Sequence, residues 1–349
     1  MKKITFIIII IVLIHTLVWA SNSQRVLGKV LKIEKIQDVV EQETLKIEIL
    51  EGKHKGKVIN VTRERMEYSS FDFDLNIGDQ VLMELYEDEN GSLNGRFVNV
   101  WRVDKLKNLS FIFIISIILF GGLKGVLSIS SLLFSAYVIV KFMVPGILKG
   151  YNIITISIFS ALIIIMVSFV LIAGFTKKSL VSMLGTMGGT ITAGLLAYTY
   201  SKLTSITGMA DENVMFLITN MGIKLDFSSL YMCSILIGTI GATMDVSMSI
   251  TTSMFEIKKQ SPRIKTKDLL QSGFHIGKDI MSTMVNTLIL AYAGSSMPLL
   301  IINIISDTEY IYSINSEILA MEIIRALCSS IGLVMTIPLT ILIATHALK

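Results

Sequence analysis

Residues 153–173 read Ile-Ile-Thr-Ile-Ser-Ile-Phe-Ser-Ala-Leu-Ile-Ile-Ile-Met-Val-Ser-Phe-Val-Leu-Ile-Ala, an uncharged run that is followed within four residues by Lys177-Lys178. At 1.5 Å per residue such a run reaches about 31 Å as a helix, the thickness of a bilayer's hydrocarbon core. The two lysines behind it mark the side that faces the cytoplasm. This one segment therefore predicts a membrane-spanning helix and its direction.

The same pattern recurs on both sides. Apolar runs cover Leu109–Phe120, Val126–Val144, Leu180–Tyr200, Leu230–Ile250, Met284–Ile305 and Ile318–Ala344, and Ile4–Ala20 follows Lys2 and Lys3. The expectation is an α-helical polytopic membrane protein with about eight spans if the first run is retained. Val18 and Ala20 also fit a small-residue cleavage rule, so residues 1–21 read as either a signal anchor or a signal peptide. With 52% hydrophobic and 17% charged residues and a mean hydropathy of +0.68, the chain is too apolar for a soluble domain of its length.

Charge settles the predicted hand. Lys2 and Lys3, Lys124, Lys177 and Lys178, and then Lys258, Lys259, Arg263, Lys265, Lys267 and Lys278 fall in alternate gaps, which are therefore cytoplasmic. The other gaps hold Asp211, Glu212, Asp307, Glu309 and Glu317, with Lys149 and Lys202 as the exceptions. The net charge of +4 is thus a topology signal and not a nucleic-acid footprint.

Residues 22–107 form a different object. Period-two alternation in Thr44–Leu50, Lys57–Thr62, Gln80–Tyr86 and Arg96–Arg102 predicts strands. Glu51-Gly52, Lys55-Gly56, Gly78-Asp79 and Asn90-Gly91 supply turn residues between them. About five strands in this length fit an extracytoplasmic, small antiparallel β-barrel of the oligonucleotide/oligosaccharide-binding (OB) or SH3-like type. Trp101, Tyr68, Phe71 and Phe73 are its aromatic candidates, as core and lid or as a ligand surface. Residues 108–349 make the multi-span domain, with a cytoplasmic loop at 252–280. Asp211 and Thr266 are placed to cap two short further helices.

Chemistry is sparse. Cys233 and Cys328 lie at different depths in separate runs without a CxxC neighbour, and the four histidines do not assemble a zinc site, so no metal and no cofactor is expected. Polar residues inside the spans are the stronger signal. Asp245 shares a helical face with Gly238, Gly241, Ser249 and Thr252, and a carboxylate at that depth costs roughly 2.5–3.5 kcal/mol unless protonated, paired or wet. Asp279, Ser282 and Asn286 share a face of the next span, with Lys278 at its mouth and Asn286 at a depth comparable to Asp245. Glu322, Arg325, Ser329, Gly332 and Thr336 form a third stripe, and its first two members are one turn apart and able to pair. The spacing of Gly185 and Gly189, like that of Gly238 and Gly241, points to close helix packing.

Gly121-Gly122-Leu123-Lys124-Gly125, Pro145-Gly146-Ile147-Leu148-Lys149-Gly150-Tyr151-Asn152, Gly241-Ala242-Thr243-Met244-Asp245-Val246 and Asn286-Thr287-Leu288-Ile289-Leu290-Ala291-Tyr292 occur in the order seen in the YibE/F-like family of bacterial integral membrane proteins, which the chain resembles from about Gly28 to Leu348. The resemblance implies a multi-spanning inner-membrane protein with an extracytoplasmic β domain and a homo- or hetero-oligomer with a related membrane protein. It implies no substrate.

Two functions compete on these residues. The first is a transporter or permease, with Asp245, Lys278, Asp279 and Asn286 as an inner polar site and Glu322 with Arg325 toward the outside. The second is a non-transporting scaffold or sensor acting through the β domain. An enzyme is not expected, because no GxSxG elbow, HExxH helix or GxGD dyad is present.

Overall fold

The computed structural model describes residues 25–36, 41–65, 75–87, 93–306 and 309–349. The apolar run Ile4–Ala20, Tyr68, Phe71, Phe73 and the Asn90-Gly91 turn lie outside the described residues. The chain divides into two compact units, residues 1–120 and 121–349.

In the first unit, β1 (Arg25–Ile36), β2 (Glu41–Ile49), β3 (Val58–Arg65), β4 (Gln80–Glu87) and β5 (Leu93–Val100) close into a barrel of order β1-β2-β3-β5-β4. The expected alternation is realised in β2, where Leu45, Ile47 and Ile49 point inward and are fully buried with Val30, Val61, Val81 and Met83. The barrel is not wholly antiparallel. β3 and β5 pair in parallel, through Val61 opposite Gly95 and Thr62 opposite Arg96, as a Greek-key crossover requires. This strand order is the OB type, one of the two barrel types the strand pattern allowed.

Gly28 is needed where β1 crosses the core, since a β-carbon there would stand 2.3 Å from Ile47 Cγ2 and 2.5 Å from Met83 Cε. The turn glycines Gly52, Gly56 and Gly78 take φ of 85°, 84° and 99°, the left-handed region the hairpins demand. Toward one end of the barrel Arg63 Nη1 stands 3.4 Å from Glu43 Oε2, a buried cross-strand pair, with its guanidinium 5.4 Å from the Phe97 ring centre.

The helices are α1 (Val103–Tyr137), a π-helical turn at Val138–Met143, α2 (Val144–Leu148), α3 (Ile153–Ala173), α4 (Lys177–Leu203), α5 (Glu212–Thr219), α6 (Phe227–Gln260), α7 (Thr266–Ser295), α8 (Met297–Ile305), α9 (Tyr310–Asn315) and α10 (Glu317–Ala347). Among the described residues five are long and apolar enough to cross a membrane, or six if the bent α7–α8 pair is one span. Leu109–Phe120 and Val126–Val144, expected as separate spans, fall in one helical run of 46 residues. Unbroken, 46 residues would rise about 69 Å, over twice a hydrocarbon core, but the run is broken at Gly122, where φ is 53° and ψ −132°.

Caps explain where the helices begin. Asn152 Oδ1 accepts from Thr155 N at 3.0 Å, Thr176 Oγ1 from Ser179 N at 3.1 Å, Asp211 Oδ1 from Asn213 N at 2.8 Å and Asp226 Oδ1 from Ser229 N at 3.1 Å. Thr266 does not cap a separate short helix. Lys265 holds the cap position without a side-chain bond, and the segment carrying Leu269, Leu270 and Phe274 is the first part of the single long helix α7. The expected span Met284–Ile305 instead bends by 62° at Ser296, where Pro298 opens α8.

In the second unit α4 lies against α6 and α10, and α3 and α7 flank them. Its core joins Val181, Val246, Ile250, Leu333 and Ile341.

Candidate functional site

α6 has two unlike faces. Thr239, Thr243, Val246, Ser247, Ile250 and Met254 are buried, whereas Gly238, Gly241, Asp245 and Ser249 are exposed along the opposite side and Thr252 is half-buried. The 3.6-residue period separates the two sets. Among the described residues Asp245 makes no hydrogen bond or ion pair.

α7 repeats this division. Leu269, Gly273 and Gly277 are buried, and β-carbons on the two glycines would meet Met254, Ile341 and Ile337. Lys278, Asp279, Ser282 and Asn286 lie on the exposed side. Gly238 faces the Tyr292 hydroxyl and Met254 faces Gly273, so this antiparallel register sets Asp245 level with residues 283–285. Asn286 thus lies within one turn of the level of Asp245 on the adjoining helix, but no hydrogen bond joins Asp245 to Lys278, Asp279 or Asn286. The structure brings these four onto one pair of helices and does not close them into a buried pocket. Among the described residues no group of three or more His, Cys, Asp or Glu could hold a metal ion.

Glu322 and Arg325 are a tight intrahelical pair, with Arg325 Nη1 donating to Glu322 Oε1 at 2.6 Å. Ser296, at the α7–α8 bend, donates to Glu322 Oε2 at 3.1 Å. The guanidinium sits 5.5 Å from the Tyr231 ring centre, and the Tyr231 hydroxyl donates to the Met321 carbonyl at 2.5 Å. Arg325 Nε is buried without a hydrogen-bond partner among the described residues. The pair therefore links three helices, α6, α7 and α10, at one end of the unit.

Two features escaped the sequence reading. Glu317 Oε1 accepts from Thr207 N at 2.6 Å, Thr207 Oγ1 at 2.7 Å and Gly208 N at 3.0 Å, tying the loop after α4 to the start of α10. The second is a buried seam of hydroxyls. Thr239 Oγ1 donates to Ser329 Oγ at 3.0 Å, Tyr292 donates to the same oxygen at 3.3 Å, Thr340 Oγ1 donates to Ser247 Oγ at 3.1 Å and Ser247 Oγ to the Ser182 carbonyl at 2.7 Å. The Ser329, Gly332, Thr336 rhythm on α10 signalled one side of this seam. Its partners on α4 and α6 had no separate sequence signal.

The packing glycines differ in role. A β-carbon at Gly185 would stand 2.1 Å from Thr340 Oγ1, and one at Gly189 would stand 1.7 Å from Thr336 Oγ1. Gly238 meets only the Tyr292 hydroxyl, at 3.3 Å, and Gly241 has nothing within 4 Å.

Comparison with known proteins bears on the whole chain. The model of the YibE/F-like protein family matches residues 109–349, and that of the YibE/F family N-terminal domain matches residues 23–100. No curated protein and no solved structure matches it. The barrel and the helical unit each coincide with one of the two family segments, and the chain belongs to the YibE/F-like family.

Proposed function

We propose that this is an integral membrane protein with its barrel on the extracytoplasmic side and the loop around Lys265 in the cytoplasm, and that it moves a small solute along the Asp245 face. The break at Gly122 supports counting residues 103–121 and 123–148 as two crossings. Together with α3, α4, α6, the bent α7–α8 pair and α10 this makes seven crossings after the barrel, and it leaves Lys124, Lys177, Lys178, Lys258 and Lys265 all on one side.

The observation that carries the transport reading is the exposed carboxylate of Asp245, without a partner among the described residues, within one turn of the level of Asn286 and flanked by Gly238, Gly241 and Ser249. A carboxylate in mid-span does not face lipid tails at low cost. Such a face is covered by a second copy or a related membrane protein, or it borders a water-filled path, and a proton exchanging on Asp245 would couple movement to the gradient. The reading is non-enzymatic and invokes no cofactor.

The test compares intracellular solutes in cells lacking the protein with cells carrying the wild type or Asp245→Asn at equal membrane abundance. A solute that changes on loss, is restored by the wild type and is not restored by Asp245→Asn supports transport through this face. Equal restoration by Asp245→Asn rejects it.

A second reading, a scaffold or sensor, draws support from the glycine-to-hydroxyl contacts that fill the space between α4, α6 and α10 and from the barrel's complete core of its own. Loss of activity on deletion of residues 24–105, with Asp245→Asn tolerated, favours that reading.

A further inference from the structure

We propose that the cleft between α3, α4 and α6 is a binding slot for one acyl chain of an anionic phospholipid, whose phosphate is held by the lysines at the cleft's mouth. The cleft has a volume of about 290 Å³. That is roughly twice the size of an apolar cavity that takes up benzene. Ile158 and Leu162 on α3, Ile191 and Leu195 on α4 and Leu236 on α6 form its walls.

Two polar residues of the lining, Thr190 and Cys233, have their polar atoms engaged with other partners. Thr190 Oγ1 is 3.3 Å from Thr243 Oγ1, and Cys233 Sγ accepts from Ser157 Oγ at 2.7 Å. The slot therefore presents hydrocarbon to its occupant, which suits a chain and offers little to a polar solute.

Its mouth is of the opposite character. The slot runs toward the end of the unit where α3 begins, α4 ends and α6 begins, and each of those helix ends carries an exposed lysine: Lys149 before α3, Lys202 at the end of α4 and Lys224 before α6. Lys224 shares its gap with Lys202, so all three depart from the charge rule that the other gaps follow. Lys202 Nζ donates to the hydroxyl of Tyr198, a lining residue, and lies 4.3 Å from that ring's centre, which holds the ammonium beside the slot. The nearby acid Asp226 is occupied in capping α6, with Oδ2 accepting from Ser229 Oγ at 2.5 Å. Tyr151 and Tyr200 are also exposed at this end, as expected at headgroup level. An apolar slot with lysines at one end is complementary to a chain joined to a phosphate.

The proposal rests on the membrane reading and not on transport. The experiment uses the full chain reconstituted in phosphatidylcholine vesicles, with flotation checked first. Failure to float refutes the membrane reading itself. Trace phosphatidylglycerol or phosphatidylcholine carrying a diazirine on the acyl chain is then photolysed, and adducts are mapped by mass spectrometry. The expected result is saturable labelling of residues 154–165 and 187–198, about fivefold stronger with phosphatidylglycerol, in line with the worth of one lysine at an anionic surface.

Lys202→Gln is expected to abolish that preference and Lys202→Arg to keep it. Leu195→Trp, at an exposed position on the slot wall, is expected to lower labelling by both probes. Equal labelling of the slot by the two lipids overturns the proposal. So does labelling no stronger there than on the exposed Leu327 and Ile331 side of α10, or labelling unchanged by Leu195→Trp.

Discussion

Gly189 of α4 lies so close to Thr336 of α10 that a β-carbon on the glycine would stand 1.7 Å from the threonine hydroxyl and 2.7 Å from the Gly332 carbonyl. The second neighbour is backbone and cannot rotate away, so Gly189→Ala must separate the two helices. The expected loss is about 1–3 kcal/mol, the range for overpacking a filled interior. Thermal unfolding in detergent, followed by size-exclusion fluorescence, measures it. Gly241→Ala, where nothing lies within 4 Å, is the matched control, and it is expected to be neutral or to gain up to about 1 kcal/mol from helix propensity. Equal loss at both positions would remove the close-contact explanation.

This contrast also shows what a sequence reveals of such a fold. Gly185, Gly189, Gly238 and Gly241 all look like packing residues, because small residues recur at helical spacing in every case. Only the tertiary arrangement decides which faces meet, and it sets the first two against α10 while leaving Gly241 open. The stripe from Ser329 to Thr336 was legible for the same reason, without its partners. In the barrel the alternation located β2 to β5, four of the five strands, because burial on one face has a period of two, and it did not locate β1. The parallel β3–β5 contact is non-local and leaves no periodic trace. The glycine-rich stretch at Gly121–Gly125 was visible as small-residue spacing, but the break falls at Gly122, whose positive φ no pattern announces. Asp245 stood out because an isolated carboxylate in an apolar run is costly, and that logic carries over unchanged to its exposed position.

Arg325 ties Glu322 to the Tyr231 ring, and with side-chain exposures of 26% and 22% the pair is mostly withdrawn from solvent. Arg325→Leu leaves the Glu322 carboxylate with only Ser296 as a donor. The expected loss is about 1–3 kcal/mol, between the cost of breaking an exposed pair and a buried one. Glu322→Gln combined with Arg325→Leu is expected to recover a large part of it, because neither charge is then stranded. A strictly additive double variant would show that the pair is not coupled.

Glu34 on β1 offers a pH signature in the barrel. Its Oε1 accepts a hydrogen bond from Lys32 Nζ at 2.8 Å and lies 3.5 Å from Lys46 Nζ, and these contacts hold its carboxyl below the ordinary value of 4.5. A lowered carboxylate stabilises the fold above its unfolded pKa, and that contribution disappears as pH falls through the folded pKa. Titration of glutamate-labelled full-length protein by NMR is expected to place the Glu34 midpoint below 4.5, and Lys32→Gln to move it upward. A midpoint unmoved by Lys32→Gln would assign the shift to another cause.

Sidedness is the prediction on which the proposed function depends most, and two positions separate the alternatives cleanly. Lys55 is exposed in the Gly52–Gly56 turn of the barrel, and Lys265 is exposed at the start of α7. Both native cysteines are buried, so each single-cysteine replacement is read against a low background. An impermeant maleimide added to whole cells is expected to label Lys55→Cys at once and to label Lys265→Cys only after permeabilisation. An odd number of crossings between these positions requires that difference, and residues 103–121, 123–148, α3, α4 and α6 supply five. If the 46-residue run instead crosses once, the parity changes and both positions share a side. Labelling of both in intact cells would therefore identify the Gly122 break as the error, whereas labelling of Lys265→Cys alone would reverse the whole threading.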